Sequence, residues 1–275
     1  MKATVYYFTG TGNSLAIARS IAARLGGETI PIASVIDRET IEPETNVIGI
    51  TFPVYYTDAP NIVRRFAEKL GSVEGKYIFA VSTYGGAAGA SLKTVDRTLR
   101  SRGATLSAGF GVHMPQNAFR KPWENKARIY RQAERRIGFI VRSVEAGQTG
   151  FFYSSPLLQA VTSPLVGWMK RATAMYLEKV SNTPSPSGLV TEQLMPLCGT
   201  SFAVDETCTG CGTCARACPV HNIEIVDRRP VWGNRCENCL ACYNACPTNA
   251  IHTALVKSNY HYRHPAVTVL DIAAR

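Results

Sequence analysis

Eight of the nine cysteines fall into two runs near the end of the chain, and both runs have the same spacing. Each reads Cys-x2-Cys-x2-Cys-x3-Cys-Pro, as CTGCGTCARACP from Cys208 and as CENCLACYNACP from Cys236. Three thiolates at this spacing lie on one tight loop, where these soft ligands can bind three corners of an iron–sulfur cubane. The fourth cysteine of a run cannot turn back to that cubane and reaches the other one. The two runs therefore predict two [4Fe-4S] clusters with crossed ligands.

The predicted ligands divide into two sets of four. The first set is Cys208, Cys211, Cys214 and Cys246. The second set is Cys218, Cys236, Cys239 and Cys242. The residues that follow each run also repeat, since ACPVHNIEI in the first half corresponds to ACPTNAIHT in the second. Such a repeat predicts a pseudo-twofold domain with the two clusters side by side.

Zinc sites and disulfides are the alternative uses of so many cysteines. Zinc is bound by two separated Cys-x2-Cys pairs rather than by four cysteines within eleven residues. Disulfides need an oxidising compartment, and no secretory signal opens the chain, so we expect a cytoplasmic protein with reduced thiols. The ninth cysteine, Cys198, is interpreted as an ordinary thiol.

The beginning of the chain has the pattern of an anion site. A predicted strand, Ala3–Phe8, runs into a Gly/Thr loop, and an apolar-periodic helix follows directly. Backbone N–H groups and the helix dipole converge on an anion at such a helix start. The loop has neither a Walker lysine nor a Gly-x-Gly-x-x-Gly fingerprint, which disfavours nucleoside triphosphates and dinucleotides. It resembles the loop of flavodoxins that binds the FMN phosphate, and its residues are Thr9, Gly10, Thr11, Gly12, Asn13 and Ser14.

Strand-like segments follow at Glu28–Ile32, Asn46–Thr51, Lys76–Ser82 and Thr105–Val112, and helical patterns lie between them. This pattern predicts a parallel, doubly wound sheet of the flavodoxin type, with the strand order 2-1-3-4-5. Ligands bind such sheets beyond the carboxyl ends of the strands, where two predicted loops have suitable residues. The first loop contributes Pro53, Val54, Tyr55 and Tyr56, and the second contributes Thr83, Tyr84, Gly85 and Gly86. We expect Tyr55 or Tyr84 to stack on an isoalloxazine ring, although either could simply pack in the core.

The formal net charge of +10 is unevenly distributed. Between Lys93 and Arg142 there are twelve Lys or Arg against three Asp or Glu, a difference of +9. Within this region, Pro122–Gly147 is predicted to be an amphipathic helix with one basic face, to which Arg128, Arg131, Arg135, Arg136 and Arg142 belong. The face is either simply solvated or a docking surface for an acidic partner such as a ferredoxin. No nucleic-acid-binding motif accompanies the charge.

The predicted domains are a flavodoxin-like FMN domain over residues 1–150, a helical cap and linker over 151–200, and a small α+β two-cluster domain over 201–275. Phe151–Met169 has no charged residue in nineteen positions, but two prolines and several polar residues interrupt it. We interpret it as a helical cap that packs on the sheet or between domains, and membrane contact is the disfavoured alternative.

The chain as a whole is similar to the fused flavodoxin–ferredoxin proteins of anaerobic bacteria and archaea. The matching residues are the Thr9–Ser14 loop, Tyr84–Gly86, both cysteine runs with Pro230 and Trp232 between them, and Tyr262–Pro265. This resemblance implies an electron-transfer protein with FMN and two [4Fe-4S] clusters, whose partners are redox proteins. The alternatives are a flavin-dependent reductase of a quinone, a flavin or another small acceptor, and a membrane-associated module of a larger redox complex. The pattern leaves the oligomeric state open, a homodimer included.

Overall fold

The computed structural model describes residues 2–118, 124–153, 155–257 and 259–273. The chain divides into two compact units. The first comprises Met1–Thr9, Asn13–Pro115 and Trp123–Val166, and the second comprises Gly10–Gly12, Gln116–Pro122 and Gly167–Arg275. None of the described helices is both long enough and apolar enough to cross a membrane.

The first unit is built on a six-stranded parallel sheet. Its order is β2-β1-β3-β4-β5-β6, so the predicted flavodoxin-like fold and the order of the first five strands are confirmed. The strands are Ala3–Tyr7 (β1), Glu28–Pro31 (β2), Val47–Pro53 (β3), Tyr77–Tyr84 (β4), Ala108–His113 (β5) and Gly150–Phe152 (β6).

The central strands are buried on both faces, because helices cover both sides of a doubly wound sheet. All five residues of β1 are buried, and Phe52, Phe79 and Phe110 on β3, β4 and β5 are fully inaccessible to solvent. The helices of this unit are Asn13–Arg24 (α1), Asn61–Lys69 (α2), Ser91–Arg100 (α3), Lys126–Glu145 (α4) and Pro156–Thr162 (α5).

Helix α4 buries the predicted stripe, which consists of Ile129, Ala133, Ile137 and Ile140. The first residues of the predicted helix, Pro122 and Trp123, lie outside the described residues.

Arg136 differs from the other arginines of the helix, because it is not a solvated residue of the basic face. Its guanidinium donates hydrogen bonds to the carbonyls of Gly111 (3.2 Å) and Phe152, and it lies 4.7 Å from the centre of the Phe139 ring. Burial lowers the pKa of this guanidinium. Arg136 therefore ties β5 to β6.

The sixth strand was not predicted. Gly150–Phe152 pairs in parallel with Ala108–Phe110, whereas the sequence pattern assigned Phe151 and Phe152 to a helical segment. Phe152 stacks on Phe110 with the ring centroids 5.3 Å apart. The helical part of that segment begins only at Pro156.

The second unit is a small α+β structure with short elements. A 15-residue helix, Val166–Val180 (α6), is followed by Thr191–Leu194 (α7). Two antiparallel ribbons come next, in which β7 (Phe202–Val204) pairs with β10 (Ile251–Thr253), and β8 (Ile223–Val226) pairs with β9 (Arg229–Trp232). The remaining helices are Thr213–Ala217 (α8), Ala241–Ala245 (α9) and Val269–Ala273 (α10).

The internal repeat is visible in the backbone conformation. Gly210 and Gly212 have φ values of 70° and 71°, and their counterparts 28 residues later, Asn238 and Leu240, have 51° and 59°. Helices α8 and α9 begin and end at equivalent positions. Both cysteine loops therefore use the same two left-handed residues. Glycine adopts this conformation freely, whereas a side chain such as that of Leu240 costs roughly 1–2 kcal/mol.

Candidate functional site

The first set of cysteines lines one cavity in the second unit. The atoms around it enclose about 330 Å³ of space that is partly open to solvent. Its cysteines are Cys208, Cys211 and Cys214 from the first run and Cys246 from the second. Pro230, Ile225 and Ile251 contribute apolar surface. One wall of the cavity thus comes from the opposite cysteine run, as crossed ligation requires.

Hydroxyl groups lie near two sulfur atoms of this first set, those of Cys211 and Cys246. The Thr213 hydroxyl lies 3.3 Å from the Cys211 sulfur, and the Thr248 hydroxyl lies 3.7 Å from that of Cys246. The hydrogen bond with Thr213 lowers the pKa of the Cys211 thiol, which is exposed. Arg216 donates to the Cys211 carbonyl and to the Thr213 hydroxyl, both at 3.1 Å. These contacts favour sulfur in its thiolate form, the form that binds iron.

The second set of cysteines is more deeply buried. Cys218, Cys239 and Cys242 are each at most 8% exposed. Burial raises the pKa of the Cys239 thiol, and the neighbouring thiols of Cys218 and Cys242 raise it further. The pKa of Cys236 is raised for the same reasons, by burial first and then by Cys242, Cys198 and Cys218. Cys218 therefore lies near the cysteines of the second run.

Asn222 connects the two runs, and its role was not predicted from the sequence. Its backbone N–H lies 3.3 Å from the Cys218 sulfur. Its side-chain oxygen accepts from the backbone N–H of Arg235 at 2.6 Å, and its side-chain amide donates to the Gly233 carbonyl at 3.2 Å. The asparagine is buried and holds the residue before Cys236 beside Cys218.

Trp232 is a second residue whose role is visible only in the structure. Its ring stacks on Phe202, with centroids 5.3 Å apart and planes 16° apart. The indole Nε1 is buried and has no hydrogen-bond partner within the part of the chain that the structure describes. Burial raises the pKa of the Cys242 thiol to about 12, and the nearby Trp232 side chain acts against this rise. The Trp232 side chain therefore lies near the Cys242 sulfur.

None of the nine cysteines is in a disulfide. Among the described residues, no three His, Cys, Asp or Glu side chains converge closely enough to bind a single metal ion. A cubane holds its four thiolates farther apart than a single ion does, because each thiolate binds a different iron. Cys198 is fully buried, and burial raises the pKa of its thiol to about 11.

The loop after β1 is buried and linked to the loop after β4. In the first unit, the Ser14 hydroxyl lies 2.8 Å from the Thr83 hydroxyl, and the Asn13 amide donates to the Pro115 carbonyl at 3.0 Å. Thr9 is 5% exposed. Two of the predicted loops therefore meet at the carboxyl edge of the sheet, at the start of α1.

The central residues of this loop, Gly10–Gly12, are grouped with the second unit. There the Thr11 carbonyl accepts from the backbone N–H of His264 at 2.9 Å. Gly12 has a φ of 95°, and a Cβ atom on it would lie 2.8 Å from the Cβ of Val267. Position 12 therefore requires glycine for its conformation and for space.

The loop after β3 contains a tight turn from Tyr55 to Asp58. The two residues exchange backbone hydrogen bonds of 3.0 and 2.9 Å, and the residues between them, Tyr56 and Thr57, have φ values of 48° and 66°. Asp58 is held by an ion pair with Arg64 at 3.0 Å. The Thr57 hydroxyl is buried and has no hydrogen-bond partner among the residues described. Left-handed threonine is strained, and such strain is common at ligand sites.

The two tyrosine candidates have different environments. Tyr84 is 7% exposed, and a Cβ on Gly111 would lie 3.0 Å from its ring, so Tyr84 packs closely against β5. Tyr55 is only partly buried and meets Phe8 edge to face at 6.3 Å. Gly86 is exposed, and nothing lies within 4 Å of the position where its Cβ would be. The Val54 N–H donates to the Thr83 carbonyl at 2.8 Å, which joins the loop after β4 to the loop after β3.

Parts of the chain are similar to a known protein family and to solved structures. A 4Fe-4S dicluster domain matches residues 207–250, so the second unit contains a 4Fe-4S domain. No curated protein is significantly similar to this chain. Similar solved structures include a flavodoxin from Streptococcus pneumonia TIGR4, which is 17% identical to this chain. The match covers 53% of this chain and 99% of that chain, and its TM-score is 0.37. A flavodoxin from the Archaea has 19% identity, the same coverages and a TM-score of 0.34. A flavoprotein from Bacteroides eggerthii has 20% identity over 48% of this chain and 96% of that one, with a TM-score of 0.33.

Proposed function

We propose that this chain is an electron-transfer protein that binds two [4Fe-4S] clusters and one FMN and passes electrons between them. The observation that carries the proposal is the presence of two four-cysteine sets in a dicluster domain, in one chain with a flavodoxin-like sheet. When bound, each cluster carries one electron and the flavin one or two. A reducing, cytoplasmic setting is part of the proposal, because cysteines must stay reduced to bind the clusters.

The ligand sets are proposed as crossed. The cavity that joins Cys246 to the first run supports one set, and Asn222, which holds Cys218 beside the start of the second run, supports the other. Hydroxyl and N–H donors near the sulfur atoms stabilise negative charge on them. The first set, with Cys211 exposed, is the proposed point of exchange with a partner, and the buried second set is shielded from it.

The FMN site is proposed at the carboxyl edge of the sheet in the first unit. Thr9–Ser14 would bind the phosphate, and Pro53–Tyr56 and Thr83–Gly86 would contact the ring system. Tyr55 is the better stacking candidate, because Tyr84 is packed against β5. The orphaned hydroxyl of Thr57 and the open backbone at Gly86 fit a polar ring edge.

An acidic redox protein such as a ferredoxin is the proposed partner class. Arg128, Arg131, Arg135 and Arg142 are exposed on α4, while Glu134 of the same helix pairs with Arg24. Exposed positive charge speeds the encounter with an acidic surface.

Trp232 is expected to tune the cluster of the second set. Its buried N–H has no partner among the described residues and lies near Cys242, where it would stabilise negative charge on the sulfur. A reduced cluster carries one more negative charge than an oxidised one. We expect Trp232→Phe to lower the midpoint potential of that cluster by roughly 40 mV, which corresponds to about 1 kcal/mol for one electron. Redox titration followed by electron paramagnetic resonance measures the shift. Trp168→Phe, in an exposed tryptophan, is the matched control, and equal potentials in both variants would contradict this role.

Cofactor content tests the proposed function directly. Protein purified without oxygen should contain about eight iron and eight sulfide per chain, because two cubanes each hold four of both. FMN should be released on denaturation at about one per chain, since the Thr9–Ser14 loop offers a monophosphate site. Elemental analysis and mass spectrometry measure these contents. Zinc in place of iron, or FAD in place of FMN, would overturn the corresponding part of the proposal.

A further inference from the structure

Exposed apolar side chains are concentrated in one short part of the chain. Among the described residues, seven of the twelve large apolar side chains that are exposed lie between Phe151 and Met175. Single exposed apolar residues need no explanation, but exposed apolar residues that share one helix face mark an interaction surface. The sequence pattern had placed this segment in a packed helical cap, and the structure leaves these side chains open to solvent.

Helix α6 has two clearly different faces. Trp168, Arg171, Met175 and Lys179 recur at intervals of three and four residues, so they lie on one face, and all four are exposed. Trp168 is 72% exposed and Met175 is 63% exposed. We call these four residues, together with Ala172 between them, the outer face of α6.

The opposite face of α6 is fixed within the second unit. Leu177 is fully buried, and the Tyr176 hydroxyl donates to the Ala254 carbonyl at 2.9 Å. The Lys170 ammonium lies 3.5 Å from the Glu192 carboxylate, so this lysine is turned away from the outer face. These contacts of Leu177, Tyr176 and Lys170 therefore fix the orientation of α6 within the second unit.

The charges on the outer face are all positive. Arg171 and Lys179 are exposed beside the two large apolar side chains. The one acidic residue of the helix, Glu178, is buried and accepts hydrogen bonds from the backbone N–H and the hydroxyl of Ser187, at 2.8 and 2.6 Å. Tryptophan beside basic residues on one helix face is the chemistry of helices that lie in the surface of an anionic bilayer.

The first unit exposes apolar side chains in the preceding helix, α5. Leu157 is 77% exposed and Val161 is 59% exposed, while Gln159 is buried and donates to the Gly89 carbonyl at 2.8 Å. Neither α5 nor the residues between it and α6 contain a charged side chain. The chain thus has no acidic group on these elements that would repel an anionic surface.

We propose that the outer face of α6 is a docking surface for an anionic lipid bilayer. Trp168 and Met175 would enter the boundary between the headgroups and the acyl chains, while Arg171 and Lys179 contact lipid phosphates. The helix lies on the bilayer and does not cross it. This proposal reverses the preference drawn from the sequence, and it does not depend on the proposed electron transfer.

Sedimentation with lipid vesicles tests the proposal on the full-length protein with its cofactors. We expect binding to vesicles of phosphatidylcholine with about one third phosphatidylglycerol, weak binding to phosphatidylcholine alone, and a loss of binding as salt is raised. Trp168→Ala should lower the partition coefficient about tenfold or more, because it removes the largest apolar side chain of the face. Arg171→Gln and Lys179→Gln should each lower it about fivefold.

Two substitutions outside the face serve as matched controls. Leu270 is 77% exposed, against 72% for Trp168, and Lys257 is exposed like the two basic residues of the face. Leu270→Ala and Lys257→Gln should leave vesicle binding unchanged. Unchanged circular dichroism and iron content establish that each variant is folded. The proposal is overturned if the wild type does not bind anionic vesicles, or if Trp168→Ala binds as well as the wild type. Analytical ultracentrifugation that shows a dimer lost in Trp168→Ala would make a second copy the occupant and would also overturn it.

Discussion

Replacing Cys218 with alanine is expected to remove the cluster of the second run, although Cys218 belongs to the first. The reason is proximity: the Cys218 sulfur is among the thiols that raise the pKa of Cys239 and Cys236, and Asn222 holds it beside Arg235. The other three ligands of that cluster lie 18 to 24 residues downstream. Cys246→Ala should in turn remove the cluster of Cys208, Cys211 and Cys214, whose cavity Cys246 lines.

Spectroscopy of matched variants can test this crossing. Electron paramagnetic resonance of the reduced protein should give Cys218→Ala the same remaining cluster signal as Cys239→Ala, and Cys246→Ala the same as Cys211→Ala. Iron content should fall by about half in all four variants, because one of two equal clusters is lost. FMN content should stay unchanged in each. A Cys218→Ala signal that matches Cys211→Ala would mean that each run keeps its own cluster and that the proposed sets are wrong.

The cysteine spacing was enough to predict a two-cluster domain, but not what surrounds the sulfur atoms. Spacing is a local property, since three ligands on one loop must reach three corners of one cubane. Asn222 accepts a hydrogen bond from the backbone N–H of Arg235, the residue before Cys236, and the Trp232 side chain lies near Cys242. No periodicity marks such residues. The resemblance to fused flavodoxin–ferredoxin proteins singled out Trp232 but assigned it no role.

The fold of the first unit followed from periodicity except at its edge. Long apolar strands that alternate with amphipathic helices are strong signals, and β1 to β5 were predicted to within a few residues. Strand β6 has only three residues, Gly150–Phe152, and exists because it pairs with β5 and because Arg136 bonds to Phe152. The residues that stabilise β6 are distant from it in the sequence. A short apolar segment is therefore ambiguous until its neighbours are known.

The tyrosine candidates illustrate the same limit within the proposed flavin site. Tyr55 and Tyr84 both follow strands at the correct edge of the sheet, and the pattern treats them alike. Their environments differ because Gly111 on β5 leaves room for the ring of Tyr84, whereas Tyr55 stands on a turn with two left-handed residues. Tyr84 is buried because Gly111 on the neighbouring strand has no side chain. The residues of the Tyr84 loop carry no information about that position.

Removing two hydroxyls from the loop after β1 is expected to have the largest effect on flavin binding. Thr11→Ala combined with Ser14→Ala should lower the affinity for FMN about a hundredfold or more, since a hydrogen bond to a charged group contributes roughly 1.5–3 kcal/mol. The positive end of α1 and the backbone N–H groups remain, so binding is weakened and not abolished. Titration of flavin-free protein with FMN, followed by the quenching of flavin fluorescence, measures the affinity.

Ser14 also has a partner within the protein, and the controls must separate its two roles. Its hydroxyl lies 2.8 Å from that of Thr83, so Ser14→Ala breaks a link between two loops as well as a contact with phosphate. Thr83→Val breaks the same link, and the hydrogen bond from Thr83 to the Phe52 carbonyl at 3.4 Å, but keeps the Ser14 hydroxyl and the backbone of the proposed site. We therefore expect a clearly smaller loss of affinity. Ser34→Ala removes a hydroxyl that bonds only to the Pro31 carbonyl among the described residues and should leave FMN binding unchanged. An unchanged affinity in the double variant would reject the loop as the phosphate site, and an equal loss in Thr83→Val would assign the effect to the joining of the loops.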